Sequence, residues 1–186
     1  MTHTLVICGH PDLAHSLANK TIVSELQKLL PTAEFDRLGD LYPHYEIDVP
    51  WEQEKLVKAD TIVLQFPIFW YDAPALMRKW FEDVLTFGFA YGPEGTALTG
   101  KRLICSLTTG SQAEAYQHEG TQKHTIDEFL VGLEQMARLC GMRWEGVVHM
   151  GGMVYTAESD TAAREEIVRR SVQHAHTLVD KITHSA

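Results

Sequence analysis

An α/β fold, with a five-stranded parallel sheet of order 2-1-3-4-5 and helices on both faces, is predicted by three features of the chain. Short apolar, β-branched runs alternate with stretches of helical periodicity. Those runs lack the in-out alternation of a half-solvated sheet, so they read as strands covered on both faces. At 186 residues, with 45% hydrophobic and 22% charged residues, the chain suits one domain spanning 1–186.

Leu5-Val-Ile-Cys8 reads as the first strand, and Ala18 to Leu30 as a helix with Ile22, Val23, Leu26, Leu29 and Leu30 on one face. Glu34 to Leu38 is a weaker second strand, and Trp51 to Ala59 a short helix. Thr61 to Phe66 forms the third strand, which should stop at Pro67 because proline cannot donate to a ladder. Pro74 suits the first turn of the next helix, Ala73 to Thr86. That helix carries two apolar rows, Leu76/Trp80/Val84 and Met77/Phe81/Leu85, more than one sheet contact needs, so the surplus suggests a subunit interface.

Leu103 to Thr108 is the fourth strand. Ile126, Phe129, Leu130, Leu133, Met136, Ala137 and Cys140 make one helical stripe ending at Gly141. Val147 to Met150 is the fifth strand, and a last helix places Val168, Val172, Ala175, Val179 and Ile182 on one side. Strands and helices alternating five times at this length favour the flavodoxin-like strand order.

The formal net charge of −9 and the lack of a Lys/Arg cluster exclude a general nucleic-acid binder, which must neutralise phosphates. No apolar run reaches bilayer-spanning length, and Met1-Thr-His-Thr4 leads into the first strand without a signal-peptide pattern, so a cytoplasmic protein is expected. Cys8, Cys105 and Cys140 have no metal-ligand spacing and read as small buried hydrophobes. His174, His176 and His184 fall on a polar C-terminal stretch and are assigned to helix surface or tail. No metal site is expected.

With this strand order the loops after strands one, three and four meet at one edge, where open α/β sheets bind ligands. The first, Gly9 to Asn19, closes on a helix start whose free N–H groups and dipole suit a phosphate. Ser16 and Asn19 offer side-chain donors there, or simply cap the helix. His10, directly after the strand, is a further candidate. The second loop, Gln65-Phe-Pro-Ile-Phe-Trp-Tyr71, offers aromatic surface for a planar cofactor, the plain alternative being core packing. The third, Thr108-Thr-Gly-Ser111, can meet the polar edge of a ring, Gly110 permitting close backbone approach, or be an ordinary turn. Together the three supply what a flavin mononucleotide needs.

His10-Pro11 with Ser16-Leu-Ala-Asn19, then Gln65 to Tyr71, Phe89-Ala-Tyr-Gly92 and Thr108 to Ser111 resemble the flavodoxin-fold NAD(P)H:quinone reductases, from the first strand to about Gly141. The resemblance is strongest to a small bacterial branch that includes the ancillary oxidoreductases of glutathione-gated potassium efflux systems. It implies that His10, Ser16, Leu17, Ala18 and Asn19 hold the flavin phosphate and ribityl chain. Pro67, Ile68, Phe69, Trp70 and Tyr71 would line the ring, and Thr108, Thr109, Gly110 and Ser111 its pyrimidine side. Tyr116 would stand near hydride transfer. Trp70 and Tyr71 would wall the substrate slot, with Phe89 and Tyr91 nearby or at the partner subunit, or else serving helix and dimer packing.

The cofactor implied is FMN, with FAD left open, and the donor NADH or NADPH. Two-electron reduction of a quinone or similar small electrophile by a homodimer is the implied activity. Regulation of a potassium efflux membrane protein, from the inner face of the membrane, is the alternative. An electron-carrier flavodoxin fits less well, because Ser16 to Asn19 does not resemble a flavodoxin phosphate loop. Two departures from the family stand out: Phe69 replaces a frequent Gln, and Ser111 a frequent second Gly. The family's longer members also place a His a few residues beyond the Tyr; here that offset falls on Gln122, with His118 and His124 nearby, and His124 is taken as the catalytic candidate.

Overall fold

The computed structural model describes residues 2–156 and 160–184. Five strands, β1 (Thr4–Cys8), β2 (Glu34–Arg37), β3 (Thr61–Pro67), β4 (Arg102–Thr108) and β5 (Arg143–Met150), form one sheet in the order β2-β1-β3-β4-β5. Every pairing is parallel, with Val6 opposite Phe35 and Val63, and Val63 opposite Ile104. The predicted order is therefore observed. Each crossover is helical, as parallel neighbours require.

The two cores alternate residue by residue along the strands. Leu5, Ile7, Ile62, Leu64, Phe66, Leu103, Cys105 and Leu107 join the larger core on one face. Val6, Val63, Ile104 and Val148 join the core on the other, with Ile22 and Leu26 of α1 (Leu17–Leu29). All three cysteines are buried and free, as expected. Burial pushes the Cys8 thiol up to about 11 and raises Cys105 and Cys140 as well, so none is a ready nucleophile.

Several elements differ from the sequence reading. After β2 the chain turns into a short helix, α2 (Leu38–Leu41), rather than continuing the strand through Leu38. Gly39 lets this helix press on the loop after β1, since a Cβ there would lie 2.3 Å from the Pro11 carbonyl oxygen. The next helix, α3 (Val49–Lys58), starts two residues early because Asp48 accepts from the Trp51 N–H and Pro50 fits the first turn.

In α4 (Ala75–Val84) Leu76, Trp80, Val84, Met77 and Phe81 are buried within this chain, which leaves only Leu85 of the surplus row half-buried. The larger core claims it, with Leu56 of α3 and Leu133 of a later helix packed in the same cluster. The predicted 126–140 helix is two pieces, α5 (Ile126–Phe129) and α6 (Val131–Leu139). At Leu130 the bonds tighten to a three-residue spacing, from Leu130 N–H to Asp127 O and from Leu133 N–H to Leu130 O.

The last helix, α7 (Thr161–His184), buries Ile167, Ser171, His174, Ala175, Leu178 and Ile182. Val168, Val172 and Val179 are only half-buried. The buried face is thus rotated by about one residue from the apolar stripe. His174, assigned to the surface from sequence, is 1% exposed. Among the described residues no helix is long and apolar enough to cross a membrane.

A buried charge cluster ties β2 to α3 and α4. Lys55 Nζ lies 2.6 Å from both Asp36 Oδ2 and Glu52 Oε1. Glu52 also accepts from Tyr42 Oη at 2.6 Å and Trp80 Nε1 at 2.8 Å. Burial holds the Asp36 carboxyl above the usual range against the pull of Lys55.

Candidate functional site

The carboxyl ends of β1, β3 and β4 are adjacent, and a cleft of about 400 Å³ opens there. Its floor brings together His10, Ser16 to Asn19, Pro67 to Phe69 and Thr108 to Gly110. A second cavity of about 240 Å³, lined by Ile68, Trp70, Tyr71, Gly110, Ser111, Tyr116 and Gln122, adjoins it and shares Ile68 and Gly110 as lining residues.

The first end of this double cleft is built for an anion. Ser16 caps α1 by accepting the Asn19 N–H at 3.3 Å. The preceding N–H groups, of Leu17 and Ala18, have no partner within the helix and line the cleft. His10 Nδ1 accepts from the Asp12 N–H at 3.0 Å, which leaves its Nε2 as the proton-bearing donor. Burial lowers the His10 pKa, so this ring is neutral. Asn19 is 3% exposed and its side chain turns inward to Gln65 and Thr108.

The turn after β4 is held from behind. Thr109 donates through Oγ1 to the Ser111 carbonyl at 3.0 Å and meets His149 Nε2 at 2.8 Å, so the imidazole is the donor in that pair. The Thr109 N–H is spent on Met150 O. Among the described residues no partner uses the Gly110 or Ser111 N–H, and both residues line the second cavity. Two neighbouring donors there can meet the polar edge of a ring.

The aromatic loop is a tight reversal rather than a simple strand-to-helix connection. Phe69 and Asp72 exchange backbone hydrogen bonds at 3.0 and 3.1 Å around Trp70 and Tyr71, which have φ of 50° and 67°. Two non-glycine residues in the left-handed region strain the backbone by roughly 1–2 kcal/mol each. Phe69 faces the first cleft edge-on to His10, at 5.9 Å. Tyr71 stacks on Phe129 at 5.3 Å, while Trp70 stands 94% exposed.

Tyr116 is 6% exposed, with its ring edge against His149 at 5.4 Å and Phe129 at 6.1 Å. Gln122 donates to Ser111 Oγ at 3.1 Å beside it. His124 does not join them: its ring packs on Phe129, and Nδ1 lies 3.6 Å from Glu128. His118 lies 3.7 Å from the same carboxylate. The Gln122 N–H is tied to the Ala115 carbonyl, and Gln122, not a histidine, lines the cavity. Phe89 packs on the larger core, and Tyr91 lines a separate groove with Phe81 and Met136. Neither enters the double cleft of this chain.

The sequence reading missed Met153, Val154 and Tyr155, which close the first cleft from the loop after β5, and His15 at its rim. Since β5 neighbours β4, the strand order itself implies that this loop flanks the site.

Burial pushes both His149 and His174 down to about 4, from an ordinary 6.5. Between these values the unfolded chain takes up protons that the folded one refuses. Stability is therefore full above pH ~6.5 and falls on acidification towards pH ~4, by up to about 3 kcal/mol for the buried His174 and by less for His149, whose half-buried ring solvent partly screens. Chemical denaturation across this range should show the decline, and His174→Gln should shrink it; an unchanged slope would contradict the assignment.

An anion-accepting helix start beside an aromatic slot, at the carboxyl edge of a parallel sheet, is the place where open α/β proteins hold nucleotide-like ligands. Residues 2–175 match the family described as flavodoxin-like fold. The NAD(P)H oxidoreductase YrkL of Bacillus subtilis is 39% identical over 84% of this chain and 90% of its own length. The glutathione-regulated potassium-efflux system ancillary protein KefG of an Enterobacter species is 36% identical over 75% of this chain and 76% of its own. General stress protein 14 of Treponema denticola, solved in complex with FMN, has a TM-score of 0.84 and 29% identity, covering 97% of this chain and 98% of that one. An NADPH-quinone reductase from P. pentosaceus has a TM-score of 0.76 and 27% identity, covering 94% and 98%. The chain belongs to the flavodoxin-like fold family, and its relatives there include named NAD(P)H oxidoreductases.

Proposed function

We propose that the protein is a flavin-dependent NAD(P)H:quinone oxidoreductase that uses FMN. The observation that carries this reading is the pair of adjoining cavities that share Ile68 and Gly110, one fitted to an anion and the other to a planar ring. Bound flavin supplies a ring that accepts a hydride from reduced nicotinamide and passes two electrons to a quinone.

Ser16 and the N–H groups of Leu17 and Ala18 would hold the phosphate, with the helix dipole favouring its charge. The Gly110 and Ser111 N–H groups would stabilise negative charge on the reduced ring's polar edge. Trp70, Tyr71 and Tyr116 leave a flat slot suited to nicotinamide and quinone in turn. Tyr116 would donate its phenolic hydrogen to the quinone oxygen.

The deciding experiment is a visible spectrum of purified protein under anaerobic conditions. A yellow protein that bleaches with NADH or NADPH and recovers on adding quinone is expected. A colourless protein that cannot be reconstituted with FMN would overturn the reading. Tyr116→Phe should keep its flavin but lose about tenfold or more in quinone turnover; unaffected turnover would make Tyr116 structural.

The KefG relationship favours a second, compatible reading, in which this cytoplasmic protein docks on a potassium efflux membrane protein. Recovery of tagged protein with membranes carrying the efflux protein, but not with membranes lacking it, tests this. A homodimer would use exposed aromatics such as Trp70 and Phe87, 94% and 69% exposed, rather than α4.

A further inference from the structure

A row of buried polar side chains leaves the anion-accepting end of the cleft and crosses the sheet. Asn19 Nδ2 donates to Ser16 Oγ at 3.1 Å and reaches Thr108 Oγ1 at 3.3 Å. Asn19 Oδ1 accepts from Gln65 Nε2 at 2.9 Å. Gln65 Oε1 accepts from Ser106 Oγ, and Ser106 Oγ lies 2.7 Å from His174 Nε2. Asn19, Gln65, Ser106 and His174 are each 3% exposed or less. They connect α1, β3, β4 and α7.

The row has a direction, and His174 sets it. His174 Nδ1 is buried without a hydrogen-bond partner. A buried N–H left unpaired is rarer and costlier than an unpaired lone pair, so the proton sits on Nε2. Nε2–H then donates to Ser106, whose own hydrogen must go to Gln65 Oε1. That fixes the Gln65 amide to donate to Asn19 Oδ1, and the Asn19 amide to donate to Ser16. Ser16 Oγ now accepts two N–H groups, the Asn19 side chain and the Asn19 backbone. Both its lone pairs are used, and only its hydrogen remains to be given.

The opposite imidazole tautomer would reverse every step. Ser106 would donate to His174, both amides would turn over, and the Ser16 hydrogen would be captured by Asn19 Oδ1. We propose that His174 and Gln65 are positioning residues that set the direction of this row, so that Ser16 presents its hydroxyl hydrogen to the phosphate of the bound cofactor. The inference rests on the flavin reading above, which supplies the phosphate.

Two measurements test it. In ligand-free wild-type protein, ¹⁵N NMR of the His174 ring should show a protonated Nε2 and an unprotonated Nδ1. The reverse tautomer would overturn the proposal. Second, FMN affinity is measured for wild type, Gln65→Glu, Ser16→Ala and the double variant, at a pH where the ¹³C shift shows the introduced carboxyl ionised. An ionised carboxylate only accepts, so it turns the Asn19 amide over. Gln65→Glu should weaken FMN binding about 30-fold more when Ser16 is present than when it is alanine. A plain charge or folding effect would be the same in both backgrounds, and such additivity would overturn the proposal alone. Failure of the wild type to bind FMN would instead overturn the flavin reading, and this inference with it.

Discussion

Ser16→Asp is expected to strip the protein of flavin while leaving the fold intact. Ser16 is the N-cap of α1, with extended backbone at φ −95° and ψ 107°. Aspartate caps a helix as well as serine does and complements the helix dipole, so the variant should fold normally. The same carboxylate occupies the place where the phosphate would sit. Two like charges about 4 Å apart repel by roughly 4 kcal/mol at an effective dielectric of ~20, a loss of roughly a thousandfold in affinity. Flavin per protein after purification, and titration of the apo form, measure the effect. Unchanged cofactor content would remove Ser16 and the start of α1 from the binding site.

The largest expected loss of stability comes from a site with no part in binding. Lys55 is 2% exposed and Glu52 0%, and Lys55→Met leaves Asp36 and Glu52 facing each other without their cation. Breaking a buried ion pair by removing one partner costs about 3–5 kcal/mol, a fall of roughly 10 °C in Tm for a chain of this size. The pH dependence has a definite sign. Burial already raises the Asp36 carboxyl and Lys55 is what pulls it back down, so without Lys55 the folded variant binds more protons than the unfolded chain, and its stability falls as pH rises. Thermal unfolding of the variant at acid and alkaline pH should show the larger deficit on the alkaline side. A deficit independent of pH would mean that Lys55 acts through packing alone.

The legible parts of this molecule were those in which one physical rule dominates. Strands buried on both faces are apolar throughout, so β1, β3 and β4 were visible within a residue or two, and their adjacency followed from the alternation with helices. The loops forming the cleft floor followed from that adjacency. What stayed hidden depended on polar groups satisfied inside. Ser171 and His174 lie on the buried face of α7, so apolar periodicity pointed one residue away from it. Lys55 and Glu52 are buried in α3, and no apolar pattern marks a position where a charge is satisfied inside by other charges. Spacing alone left the histidine role between His118 and His124; in the structure the His124 ring packs on Phe129, and Gln122, its N–H tied to the Ala115 carbonyl, lines the cavity.

The left-handed backbone at Trp70 and Tyr71 bears on how this protein would respond to laboratory evolution. Glycine or asparagine at either position would relax the turn, so a library selected for heat resistance alone should accumulate them. Each would also delete an aromatic ring from the second cavity. Thermostable survivors carrying such changes should be impaired catalysts, and a selection that keeps turnover under pressure should leave both aromatics in place and find its gains elsewhere.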